Sequence, residues 1–368
     1  MNVCMNNEKL IAIAQKFDIA GNPVGVKLIE SGHINKTYLV EYDTNKKYIL
    51  QYVNTNVFPN ITELMSNIEK VTEFIKENGN STTLTFIKTK GEDSSYIYEN
   101  NWRMQEFITN TKTYISTESM EVLEQAGKAV GDFQKELNGF DASTLYEIIE
   151  KFHYTPNRVK QLMTAINSKE NNEKRKERFE KAKPYIEFLT DEKRTSKANS
   201  ITSKLENGTI PLRVTHNDTK LSNILFDKDT NKYKCLIDLD TIMPGSIVYD
   251  FGEGIRTGVT TTAEDEQDLS KIHVDMNRFE AFTKGFLSIM KDTITKEELE
   301  LLPIGSWMMT YENTTRFLAD YLNGDIYYAV NENIPDHNLV RVKAQVEIIK
   351  QMEDNEEKMK GMINQYGL

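Results

Sequence analysis

With 368 residues, the chain is long enough for roughly two domains of about 150 residues each. Hydrophobic residues make up 39% and charged residues 27%, a balance that excludes a disordered chain. The net charge of −11 has the wrong sign for a broad nucleic-acid-binding surface, and no run approaches the roughly 20 apolar residues that span a bilayer. Residues 1–10 lack the basic and apolar regions of a signal peptide. The two cysteines, Cys4 and Cys235, form no CxxC pair, so neither a disulfide framework nor a zinc site is expected. These features point to the cytoplasm, with no nucleic-acid and no membrane partner.

In chain order, segments 24–29, 36–42 and 47–52 are β-rich runs separated by turn-forming residues. Apolar residues at Ile61, Leu64, Met65, Ile68, Val71, Phe74 and Ile75 have helical spacing, with Asn60 as N-cap. Segments 82–89 and 95–98 are further strand candidates, and 102–108 is a short apolar run. Beyond about residue 110 the periodicity turns helical, over 117–138, 156–168, 171–189, 273–291, 296–322 and one long terminal stretch, 339–365. The exception is 212–250, where runs 223–226 and 233–237 flank a turn. The expected class is α+β, a small β-rich N-terminal lobe (1–108) followed by a larger, mainly helical lobe (109–368).

The chemistry concentrates in that exception. Thr215-His216-Asn217-Asp218-Thr219-Lys220-Leu221-Ser222-Asn223 has the form His-x-Asp-x4-Asn. Phosphoryl transfer needs a carboxylate to orient the acceptor hydroxyl and take its proton, which suits Asp218. A carboxamide five residues on can reach a metal on the nucleotide phosphates, which suits Asn223. Further along, Cys235-Leu236-Ile237-Asp238-Leu239-Asp240 is a β-run ending in carboxylates. Asp238 is placed to bridge Mg²⁺ to the phosphates, with Asp240 as an assisting or structural group. Either motif alone has a bland explanation as a polar loop or a strand-end cap. The pair at this spacing points to a kinase.

These motifs resemble the aminoglycoside phosphotransferase and choline kinase superfamily, whose members share a two-lobed protein-kinase-like fold. Within it the chain is similar to the N-acetylhexosamine 1-kinases. That similarity runs nearly end to end, through Gly32-His33-Ile34-Asn35, Tyr48-Ile49-Leu50-Gln51, Gly131-Asp132-Phe133-Gln134, Tyr249-Asp250-Phe251-Gly252, Arg316-Phe317-Leu318-Ala319-Asp320-Tyr321 and Gly324-Asp325-Ile326-Tyr327. The resemblance implies ATP and Mg²⁺ as cofactors and a sugar as acceptor, phosphorylated at its anomeric hydroxyl, in a monomer or homodimer. It implies Asp218 as base and sugar contact, Asn223, Asp238 and Asp240 around the metal, and His33, Arg316 and Tyr327 on the sugar. It places the nucleotide against Gly32 and against backbone groups around Gln105 and Phe107. Protein kinases carry a Gly-x-Gly-x-x-Gly loop and a third-strand lysine. Here a single Gly32 precedes His33, and Leu50-Gln51 stands where the lysine is expected, leaving Lys36 and Lys46 as candidate phosphate cations. Two rivals remain at this level: a same-fold kinase for choline, an aminoglycoside or another sugar, and a nucleotide-binding pseudokinase.

Overall fold

β-branched and aromatic residues dominate the runs near the N-terminus, and they form one antiparallel sheet. The computed structural model describes residues 6–29, 34–79, 81–92, 94–99, 101–169 and 172–367. Helix α1 (Asn7–Ala14), capped by the Asn6 side chain, precedes β1 (Pro23–Ile29), β2 (Lys36–Tyr42) and β3 (Lys47–Tyr52). Helix α2 (Ile61–Asn78) follows, with Asn60 as its cap, then β4 (Phe86–Ile87) and β5 (Trp102–Glu106). The sheet order is β1-β2-β3-β5-β4. Alternate residues Tyr38, Val40 and Tyr42 of β2 meet Tyr48 and Leu50 of β3, Trp102 and Met104 of β5, and Leu10, Ile13 and Ala14 of α1, giving this lobe its own core.

The strands expected at 82–89 and 95–98 shrink to the two-residue β4 and an isolated Tyr98–Trp102 bridge. Their backbone groups are satisfied by loops instead. Thr89 N–H donates to Ser95, Lys90 N–H to Lys16, and Asp18 N–H to the carbonyl of Lys88.

The remainder is mainly helical. Strand β6 (Thr111–Lys112) leads to α3 (Met120–Glu136), α4 (Thr155–Ile166), α5 (Glu173–Leu189) and α6 (Glu192–Glu206). Strands β7 (Arg213–Thr215), β8 (Ile224–Asp227), β9 (Tyr233–Leu236) and β10 (Met243–Gly245) carry the two motif loops. Then come α7 (Ile247–Gly258), α8 (Met276–Met290), α9 (Lys296–Asn323), α10 (His337–Asp354) and α11 (Glu356–Gly367). Strand β7 pairs with β10, and β6-β8-β9 form a second small sheet.

Helix α9 is the axis of this lobe. A Thr295–Glu298 capping box starts it, and Trp307, Tyr311, Phe317 and Tyr321 are buried along it. Helix α7 crosses it closely. A Cβ on Gly252 would fall 2.5 Å from the Gly305 carbonyl oxygen, so the contact requires glycine on α7. Helices α1, α6 and α7 are additions to the sequence expectation; α6 is mostly polar, and the Ile247, Phe251 and Ile255 stripe of α7 is interspersed with Gly252 and Gly254, which have low helix propensity. The single terminal helix expected over 339–365 is two helices. They meet at Asn355, whose side chain and backbone N–H both donate to the Gln351 carbonyl, at 2.8 and 3.1 Å.

Candidate active site

The two motif loops are locked to each other by His216. Its Nδ1 accepts the Asp218 N–H at 3.3 Å, so its Nε2 carries the hydrogen and donates to the Ile237 carbonyl at 3.0 Å. Ile237 N–H donates in turn to the Asn223 carbonyl at 2.8 Å. These bonds bring the residue before Asp238 against the residues at both ends of the Asp218–Asn223 turn.

Beneath the loop, Asp250 is fully buried at the start of α7. Its carboxylate accepts from His216 N–H (2.9 Å), Asn217 N–H (2.7 Å) and Gln134 Nε2 (2.6 Å), and its backbone carbonyl accepts from the Thr219 hydroxyl (2.6 Å). Asn217 is left-handed at φ 66°, as is Asp238 at φ 63°. Such a conformation costs roughly 1–3 kcal/mol in a non-glycine residue and persists only where the surroundings over-determine it. Here Asp250 and the Asn217–Thr241 bond at 2.7 Å supply that constraint beside Asp218.

At Asp218 one oxygen is committed and one is free. Oδ2 accepts from Asn223 Nδ2 at 2.7 Å and from Lys220 Nζ at 2.8 Å. Oδ1 takes no hydrogen bond among the described residues, and the side chain is 27% exposed. Lys220 had drawn no role from the sequence. Burial acts to lower its pKa, yet the charges of Asp218, Asp238 and Glu253 raise it on balance, so it stays charged. Its position two residues past Asp218, within the quoted motif, was the available signal.

Asp238 keeps contact with solvent, and its carboxylate accepts no hydrogen bond among the described residues. Although the residue is exposed, the protein crowded around its carboxyl first, then the charges of Asp240 and Asp218, push its pKa up to about 7. Because the Asn223 amide nitrogen is spent on Asp218, the amide oxygen is left as the group that can meet a cation. One carboxylate and one amide oxygen form a hard-oxygen donor set that fits Mg²⁺, which keeps several waters and substrate phosphates among its ligands. Asp240 differs. Only 3% of its side chain is exposed, Asn35 Nδ2 donates to its Oδ2 at 2.6 Å, and Arg103 Nη1 lies 2.5 Å from its Oδ1.

Toward the acceptor side, His153 Nδ1 meets the Glu312 carboxylate of α9 at 2.9 Å, and the neighbouring ring of Phe152 lies 5.9 Å from the Arg316 guanidinium carbon. Arg316 also lies over the rings of Tyr327 (5.9 Å) and Tyr328 (5.5 Å). Arg158 sits near enough for Arg316 to help lower its pKa, after the larger effect of burial. The nearby carboxylates are already partnered: Glu253 forks with Arg256 (2.6 and 2.7 Å), and Glu312 takes His153 and the Thr155 hydroxyl (3.0 Å). Among the described residues, no carboxylate lies within ion-pair distance of Arg316. Tyr327 is 73% exposed.

Gln105 and Phe107 stand at the lobe junction. Gln105 pairs with both Ile49 and Phe86, and Phe107 N–H donates to the Lys47 carbonyl at 3.2 Å, so that donor is engaged. Gly32 and His33 lie outside the described residues. Lys46 sits in the β2–β3 turn, at the opposite end of β2 from Asn35 and the motif loops.

Comparison with known families settles the class. A phosphotransferase enzyme family matches residues 25–275, from the first strand through both motif loops. The chain belongs to this family. Solved structures agree in fold. An aminoglycoside phosphotransferase from Alicyclobacillus acidocaldarius is 12% identical, with a TM-score of 0.60 over 96% of each chain. A spectinomycin phosphotransferase in complex with ADP and spectinomycin is 13% identical, with a TM-score of 0.57 over 98% of this chain and 99% of that one. A choline kinase from Cryptosporidium parvum is 13% identical, with a TM-score of 0.56 over the same shares. This phosphotransferase is therefore an α+β protein of the two-lobed, protein-kinase-like kind. Identities this low carry the fold and leave the acceptor to be argued from the site. No helix among the described residues is long and apolar enough to cross a membrane.

Proposed function

We propose that the chain is an ATP- and Mg²⁺-dependent kinase that phosphorylates the anomeric hydroxyl of N-acetylhexosamines, with 1–108 serving the nucleotide and 109–368 supplying the catalytic groups and the acceptor wall. Asp218 Oδ1 receives the hydroxyl proton while Asn223 and Lys220 hold Oδ2, fixing the carboxylate toward the acceptor. Asn223 and Asp238 hold Mg²⁺, which when bound neutralises charge on the phosphates. Lys220, paired with Asp218, adds positive charge beside the acceptor hydroxyl on which the phosphoryl group arrives. Positioning and electrostatics supply the rate, without a phosphoenzyme. ADP in the spectinomycin phosphotransferase supports the adenine nucleotide as donor.

The observation that carries the acceptor reading is the Arg316 guanidinium over Phe152, Tyr327 and Tyr328, with no carboxylate within ion-pair distance among the described residues. Because Arg316 already lies over these rings, and Glu312 and Glu253 are engaged by His153 and Arg256, the wall leaves neither a free ring face nor a free carboxylate for the ammonium groups of choline and aminoglycosides. It suits a neutral acceptor with carbonyl and hydroxyl oxygens. Tyr327 and His33 would complete the sugar contacts. The test is ADP release from Mg²⁺-ATP across N-acetylglucosamine, N-acetylgalactosamine, glucose, galactose, choline and kanamycin. Turnover confined to the N-acetylated sugars, with phosphate on the anomeric carbon, is expected. Turnover only with choline or kanamycin would overturn the acceptor assignment and keep the catalytic residues.

A further inference from the structure

Where a third-strand lysine would stand, Gln51 faces Arg103 directly across the β3–β5 pair. Arg103 is a buried arginine inside the small lobe, with 2% of its side chain exposed. Its guanidinium reaches four partners on separate elements. Nε donates to Gln51 Oε1 at 3.0 Å, Nη1 lies 3.8 Å from Met65 Sδ of α2, and the group sits 5.5 Å above the Phe86 ring of β4. The fourth partner belongs to the other lobe: Asp240 Oδ1, at 2.5 Å. That contact is an ion pair without hydrogen-bond alignment, and Asp240 Oδ1 has no aligned donor. Asp240 Oδ2 is held by Asn35 Nδ2 at 2.6 Å, and Asn35 Oδ1 accepts Asn54 N–H at 3.0 Å. Gln51 is itself held, donating to the Thr37 hydroxyl at 3.2 Å.

Side chains from β2, β3, β5 and the loop before β2 thus converge on one carboxylate of the large lobe. That carboxylate belongs to the central residue of the turn Leu239–Thr241, which Asp238 precedes in its left-handed conformation. A buried ion pair is a poor device for stability alone, because desolvation offsets most of its attraction. It is a good device for fixing one geometry. Groups that orient a metal ligand without touching the metal typically carry 10–100-fold of metal affinity or activity.

We propose that Arg103 is the positioning cation of the nucleotide side of this kinase, holding Asp240 away from the metal and thereby fixing the Asp238 turn across the lobe boundary. Arg103 supplies from β5 the inter-lobe charge that the third strand lacks. It acts through Asp240 and does not touch the phosphates. The inference rests on the reading of Asp238 as the metal ligand and is independent of which acceptor is used.

The experiment is calorimetric titration of ADP, with and without Mg²⁺, into wild type and into R103M, R103K, D240N and D238N, each first checked for a cooperative thermal transition. R103M and D240N should each lose roughly 10–100-fold of Mg²⁺-ADP affinity while metal-free ADP affinity stays within about threefold. R103K should recover part of the loss, and R103M/D240N should be no weaker than the worse single variant. Folded R103M with Mg²⁺-ADP affinity within about threefold of wild type would make the pair purely structural and overturn the proposal. If R103M does not fold, D240N decides by the same ratio. D238N separates the two readings: it must abolish the Mg²⁺-dependent gain, and if it does not, the ligand assignment itself fails whatever R103M shows.

Discussion

Two buried aspartates brace the two ends of the cleft, and they do so with opposite consequences. At the catalytic end, Asp250 accepts from His216 N–H, Asn217 N–H and Gln134 Nε2, and the loop it holds is itself buried. At the acceptor end, Asp320 accepts from Ile326 N–H (3.0 Å), Tyr327 N–H (2.9 Å), Tyr328 N–H (3.0 Å) and Asn338 Nδ2 (2.9 Å). Yet the loop it holds exposes Ile326 at 79% and Tyr327 at 73%. The backbone is fixed in both places. Only at the acceptor end are the side chains left facing outward, free to differ without disturbing the core. On the proposed function, the comparison divides chemistry from selectivity: the first loop would set turnover, and the second would set which molecule is turned over.

Substitutions at each end test that division. The largest effect is expected from D218N, which should lower kcat by about 10²–10⁴-fold with the thermal midpoint nearly unchanged. Near-wild-type turnover would remove Asp218 as base. R316M should raise the acceptor KM by about 10–100-fold, the loss of a charged hydrogen bond of roughly 1.5–3 kcal/mol, with the ATP KM unmoved. An equal fall in kcat for all acceptors would dissolve the distinction between the two ends.

Next is pH. The protein crowded around it, then Asp240 and Asp218, hold the Asp238 carboxyl up at about 7, against an ordinary value of 3.8. The folded protein therefore binds a proton there that the unfolded chain releases, so without metal this group's stabilisation is full below pH 3.8 and is lost as pH rises through about 7. Mg²⁺ needs the ionised form. The rise in thermal midpoint on adding Mg²⁺ should grow as pH passes through about 7, and D238N should flatten that profile. D250N and D320N sharpen the contrast further. Each leaves buried N–H donors short of an acceptor and should cost about 1–3 kcal/mol of stability. D250N should also lower kcat, whereas D320N should raise the acceptor KM. The smallest effect is expected from K47M, which removes the exposed Lys47–Glu41 pair (2.6 Å) outside both ends and should change stability by under about 1 kcal/mol in melting experiments.

The motif loops were legible because phosphoryl transfer demands particular residue types at fixed offsets, and loops between short strands keep those offsets in space. Helix α2 and its Asn60 cap were legible because one face is apolar at helical spacing. Helix α7 was not, since Gly252 and Gly254 interrupt its apolar stripe, and the break at Asn355 was hidden because the apolar spacing runs on through it into α11. The cation question shows the limit most directly. The sequence leaves Lys36 and Lys46 as either phosphate cations or solvated lysines, while the structure adds Lys220 beside Asp218 and Arg103 beside Asp240, the latter pair 137 positions apart.

By itself, the sequence determined the class of fold, the reaction type and the residue types at the reacting centre, because local periodicity and motif spacing are properties of the chain. Only the tertiary structure decided which oxygen of Asp218 is free, that Asp240 is engaged by Arg103 and Asn35, and that Arg316 stands among aromatic rings. Those facts depend on side chains brought together from distant segments, where burial and competing partners, rather than sequence neighbours, set the charge and orientation of each group.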